Sequence, residues 1–114
     1  MQLQILPTLL LVLVATGAAQ APDAKPDQVQ AGAVLFSNNC VRCHGANLEG
    51  GKKAPALAEI NKKKHWTDER ITRQILNGEG KMPPFRDTLS GEQIQQLVAF
   101  LRAENLPTPP APQQ

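Results

Sequence analysis

The sequence predicts an all-α domain of three or four helices joined by long loops. Three stretches repeat apolar residues at helical spacing, and no segment alternates convincingly as a strand. The connections between them are long for so small a domain, and loops of that length usually wrap something. The 114 residues suffice for one small domain. Phe36, Trp66, Phe85 and Phe100 are the only aromatic side chains. That is a thin supply of large apolar groups, and chains this small usually need a disulfide, a metal or another rigid insert.

Residues 1–21 read as a secretory signal, with cleavage between Ala18 and Ala21. Ala19-Gln20-Ala21 fits the small-x-small rule, but no Lys or Arg stands at the front. A retained anchor is the alternative, although the apolar run contains Pro7 and falls short of the ~20 residues that span a bilayer. No cysteine lies near the cleavage region, which excludes a lipid anchor there. Residues 22–26 form a polar linker, and 27–105 the folded unit. Residues 106–114 hold four prolines and no charge, a tail expected to be extended and disordered.

The first helix is expected to open at Asp27, with Gln30 as its capping-box partner. Val29, Ala33 and Phe36 recur at helical spacing, and Gly32 on the same face suggests that another helix backbone comes close. This helix ends near Asn38-Asn39. The second opens at Thr67, with Trp66 and Ile71 at the positions of a hydrophobic staple, and Asn77-Gly78 stops it. The third is capped by Ser90 with Gln93, and Ile94, Leu97, Val98 and Leu101 form its apolar stripe. Between Gly45 and Lys64 the chain is mostly loop, with one helical turn around Leu57 to Asn61.

Both cysteines and one of the two histidines fall in a single octapeptide, Asn38 to Gly45. Export implies an oxidising compartment, where two cysteines would normally pair. A Cys40–Cys43 disulfide would close a tiny loop and add little stability. Cys-x-x-Cys-His is the attachment signature of a c-type haem. Two thiols on one helical turn can each add to one vinyl group of a porphyrin, and His44 can then supply an axial nitrogen. A zinc site using Cys40, Cys43, His44 and His65 is an alternative, but the adjacent pair Cys43-His44 is awkward on one tetrahedral ion. A redox dithiol would want a βαβ context.

An iron with six ligands needs a second axial donor. Met82 is the only methionine outside the signal. Core packing is the ordinary fate of a methionine. Here Gly78 and Gly80 break any helix, and Pro83 forces Met82 into an extended conformation. A thioether on a stiff loop is what a soft axial ligand requires, and a His/Met pair raises the reduction potential. His65 is the rival donor.

Cys40, Cys43, His44, the Met82 loop and a closing helix carrying Phe100 stand in the order found in class I cytochromes c, which the chain resembles over 27–105. That resemblance implies a small cytochrome c fold wrapped around one covalently attached haem c and its iron. It implies a close crossing of the first and last helices at Gly32, Phe36 and Phe100. It also gives Pro55 as the residue whose carbonyl accepts a hydrogen bond from the axial histidine, and Trp66, more loosely, as a neighbour of the haem.

Charge bears on partners. The chain carries 12 Lys and Arg against 10 Asp and Glu. Residues 50–66 alone hold a net +4, five lysines against Glu59, and Lys81 and Arg86 flank Met82. Such a rim can steer acidic redox partners, or it can simply solubilise loops. Nucleic acid is not an expected partner, because nothing aromatic interleaves with the lysines and the chain is expected to be exported. The expected function is single-electron transfer between redox proteins by an exported, periplasmic, monomeric protein that is not an enzyme and is not stably inserted in a membrane. The alternatives are a haem enzyme or gas sensor with an open iron site, and a dedicated electron-transfer subunit of a dehydrogenase or terminal oxidase.

Overall fold

The computed structural model describes residues 25–113. The expected signal, 1–21, and most of the 22–26 linker lie outside them. Four α-helices follow in order: α1 (Pro26–Asn39), α2 (Val41–His44), α3 (Asp68–Asn77) and α4 (Gly91–Arg102), with a 3₁₀ turn at Ile60–Lys62 before α3. Among the described residues there is no strand, only an isolated bridge between Glu79 and Met82. None of their helices is long and apolar enough to cross a membrane.

The frame is the crossing of α1 and α4. Gly32 stands at the crossing point. A Cβ there would lie 2.1 Å from the Gln96 carbonyl oxygen and 2.6 Å from Phe100 Cβ, so only glycine lets the two backbones approach this closely. One turn on, Phe36 meets Phe100 with ring centroids 5.4 Å apart at 49°. Phe36, Phe100, Ile94 and Leu97 are the largest fully buried side chains, and all belong to this pair.

Helix ends follow the sequence, with one correction. Thr67 caps α3, its hydroxyl accepting from Arg70 N–H at 3.3 Å, and Ser90 with Gln93 forms a complete capping box on α4. The expected Asp27/Gln30 box is absent. Lys25 holds the cap position without a side-chain bond, Pro26 opens the helix, and Asp27 is the acid of the first turn. Proline's fixed φ and missing N–H suit the first helical position, so the helix takes the residue assigned to the linker.

Residues 106–113 have no regular secondary structure, as the prolines predict. They differ from the expected disorder, because they lie against α1. Leu106 packs on the core, Pro109 is buried, the buried Ser37 hydroxyl donates to the Pro110 carbonyl, and Gln113 N–H donates to Asn38 Oδ1 at 3.0 Å. A proline-rich segment loses little chain entropy on docking and keeps its carbonyls free to accept.

Candidate haem site

The end of α1 runs straight into the attachment motif. Cys40 N–H donates to Phe36 O at 2.8 Å, and Cys40 O accepts from His44 N–H at 2.9 Å. Cys40, Cys43 and His44 thereby share one helical turn and one wall of a cavity of about 660 Å³. That is the size of a cofactor pocket. Leu57, Ile60, Ile71, Ile75, Phe85 and Leu101 supply apolar lining, and Pro55 and Met82 complete the set of expected site residues on its wall. A second groove, about 730 Å³ between the outer ends of α1 and α4, carries no cysteine, histidine or methionine.

Both cysteines are free. Burial, reinforced by the Cys43 charge, pushes the Cys40 thiol up to about 12. A redox dithiol needs its thiolate at neutral pH, and burial here works against one. Among the described residues, no three His, Cys, Asp or Glu side chains gather where they could hold a metal ion, and His65 is exposed and off the cavity wall.

His44 is 9% exposed. Its Nδ1 lies 2.8 Å from the Pro55 carbonyl. A carbonyl can only accept, so Nδ1 is the donor of this contact, and the tautomer that carries its proton there has the lone pair on Nε2.

Met82 is carried by a pinned loop. Glu79 and Met82 exchange both backbone bonds, N–H to O at 3.1 and 2.9 Å, and Phe85 N–H donates to Ile75 O at 3.0 Å. Arg86 bonds the side chain of Asn77 across the loop's base. Gly78 at φ +64 begins the turn, and a Cβ there would stand 2.3 Å from Met82 O. Gly78 is therefore required by contact as well as by conformation.

Sequence reasoning missed Gln74, whose Nε2 lies 3.8 Å from Met82 Sδ, a weak donor contact to the thioether. The signal was present: Gln74 is a polar residue set between Ile71 and Ile75 on the inward face of α3. Trp66 is half-buried on the cavity wall, its outer side covered by the Arg70 guanidinium 4.4 Å from the ring centroid. Of the basic residues, Arg42, Lys53 and Lys81 stand at the cavity and are exposed, together with Glu79. Arg86, expected beside Met82, is exposed and engaged with Asn77.

The residues present fit a haem. The cavity is largely apolar, two unpaired thiols stand on its wall, and an imidazole and a thioether are available there as donors. A family model described as cytochrome c oxidase, cbb3-type, subunit III matches residues 27–101. Cytochrome c6 of Nostoc sp. is 36% identical over 95 residues, covering 82% of this chain and 85% of that protein. The FixP subunit of the cbb3-type oxidase of Sinorhizobium medicae is 33% identical over 90 residues, 70% of this chain but only 31% of FixP. Among solved structures, the KustC0563 c-type cytochrome is 30% identical with a TM-score of 0.56, covering 62% of this chain and 93% of that one. Motif, helical frame and these likenesses agree: the chain belongs to the class I c-type cytochromes, electron-carrying proteins with one covalently bound haem c.

Proposed function

We propose that Cys40 and Cys43 hold the haem through thioethers, that His44 Nε2 and Met82 Sδ are the axial donors, and that Pro55 fixes the histidine ring. The carrying observation is the convergence of these five residues on one apolar cavity, with His44 Nδ1 already committed to Pro55. Bound there, the haem supplies a one-electron ferric–ferrous couple. The chain's own part is to hold both donors still. The buried, hydrogen-bonded His44 and the doubly pinned Met82 loop need not move when charge changes, which keeps reorganisation small. The aliphatic lining excludes water. With the His44 imidazole and the Met82 thioether as its donors, the haem would favour the ferrous state and have a raised potential.

We further propose an exported, periplasmic carrier, in a mature form that follows cleavage between Ala18 and Ala21. It exchanges electrons with larger redox proteins and transforms no substrate. Arg42, Lys53 and Lys81 at the cavity mouth favour an acidic partner surface and a brief encounter. The similarity to FixP supports a second reading, a dedicated partner of a terminal oxidase. Co-purification from the native cell separates the two.

The chemical test is Met82→Ala in the haem-loaded protein. The expected result is loss of the sulfur–iron charge-transfer band at the red end of the ferric spectrum, a lower midpoint potential, and carbon monoxide binding to the reduced form. An unchanged spectrum refutes Met82. A wild type that lacks the band and binds carbon monoxide rapidly refutes the carrier and favours an open-site haem protein.

A further inference from the structure

We propose that Gly50 is a positioning residue for the His44 imidazole, acting through the Pro55 carbonyl; this rests on His44 being an iron ligand. The loop after the attachment motif runs out to Lys53 and returns past His44. Its two limbs touch at Gly50. A Cβ there would stand 2.4 Å from the Ala56 nitrogen, 2.6 Å from the Pro55 carbonyl carbon and 2.9 Å from Ala56 Cα. All three are backbone atoms, so no side chain can swing aside. Gly50 also lies at φ +73, in the left-handed region.

The same residue holds the other end of the histidine. Gly50 N–H donates to the His44 main-chain carbonyl at 2.7 Å, while Pro55 O accepts from His44 Nδ1 at 2.8 Å. Gly51 N–H to Ala54 O at 2.9 Å and Leu57 N–H to Leu48 O at 2.8 Å close the loop on either side. The carbonyl carbon that a Cβ at position 50 would strike is bonded to the oxygen that holds the ring. Displacing one displaces the other. Donation from Nδ1–H makes the ligating nitrogen more basic. A more basic donor favours the ferric state, so a weakened bond raises the potential.

The test compares haem-loaded wild type with Gly50→Ala and Gly51→Ala. Gly51 is the adjacent residue; its φ is not positive, and a Cβ there meets nothing within 4 Å. In Gly50→Ala, the electron-exchange equilibrium with a reference couple should move about three- to fivefold toward the reduced cytochrome, the scale of one weakened hydrogen bond. The His44 Nδ1–H signal of the reduced protein should exchange with deuterium several-fold faster. Gly51→Ala should match wild type in both. Gly50→Asn tolerates positive φ better and carries the same Cβ, so it should shift both readouts the same way if the alanine variant folds poorly. Wild-type values in a Gly50 variant, or equal shifts in Gly51→Ala, overturn the proposal. Assignment of the haem-coupled imidazole to His65 in the wild type would instead overturn the ligand reading on which it stands.

Discussion

Replacing Gly32 with alanine sets two effects of opposite sign against each other at one atom. Inside an exposed helix, Gly→Ala stabilises by about 1 kcal/mol. At position 32 the new Cβ would lie 2.1 Å from the Gln96 carbonyl oxygen and 2.8 Å from the Gln96 carbonyl carbon. Ordinary contact begins near 3.4 Å, so α4 must retreat by about 1 Å or α1 must bend. The obstacle is backbone, and retreat would also loosen the Phe36–Phe100 contact. Overpacking of this kind costs about 1–3 kcal/mol, and a clash with a carbonyl belongs at the upper end. The net is a destabilisation of about 2 kcal/mol, or a fall in Tm of roughly 8–16 °C for a domain of this size. Gly91→Ala is the internal control. Gly91 opens α4, is exposed, and a Cβ there meets nothing within 4 Å. That variant should gain about 0.5 kcal/mol. Thermal unfolding of the ferric proteins, followed by circular dichroism, measures both. A Gly32→Ala protein that melts at or above wild type would refute the close crossing.

Gln74→Leu removes the donor to Met82 Sδ; because that donor withdraws density from sulfur, voltammetry should show a lower midpoint potential with the charge-transfer band retained. Ser90→Ala breaks the capping box and should cost about 1 kcal/mol by chemical denaturation. Ser37→Ala leaves the Pro110 carbonyl without its donor; it should cost about 1 kcal/mol and speed protease cleavage after residue 106, read by mass spectrometry. A haem-free chain, made as Cys40→Ser with Cys43→Ser, should keep its slowest amide exchange in α1 and α4 and lose protection in α3 and the 78–85 loop.

Local signals carried the fold. The stripe of α4, the Thr67 and Ser90 caps and the glycine at the helix crossing are each decided within a few residues, so the sequence shows them. The start of α1 was misread because Asp27 and Gln30 satisfy a capping pattern that Pro26 pre-empts. The docked tail was not legible. Its partners, Ser37 and Asn38, lie more than seventy positions away, and its composition says only that it is extended. In the site, the Cys-x-x-Cys-His run and the Met-Pro loop announced themselves by spacing. Pro55 came from family resemblance alone, and the 2.8 Å contact to His44 gives it a physical reason. Gly50 acts through tertiary approach, which no single segment encodes, whereas the inward place of Gln74 between Ile71 and Ile75 is legible and only its contact with Met82 is not.

The core divides into two halves with different needs. Where α1 crosses α4, protein packs against protein, and Phe36, Phe100, Ile94 and Leu97 fill the space between the helices. On the other side, Ile60, Ile71 and Ile75 belong to the same core cluster, with Phe85 packed against it, and each also turns a face to the cavity. Burying such side chains contributes about 1.5–3 kcal/mol each only if something apolar covers them. Four aromatic residues cannot supply that cover, since two are spent on the helix crossing and Trp66 and Phe85 are themselves on the wall. A flat, apolar, covalently fixed ring system can. The attachment motif joins the halves, because Cys40 ends the helix that belongs to the first and begins the turn that faces the second. Phe36 touches both, packing on Phe100 and standing 6.5 Å from the His44 ring. Stability and redox chemistry therefore share one structural element, and a substitution that loosens the α1–α4 crossing is expected to shift the reduction potential as well as the melting temperature.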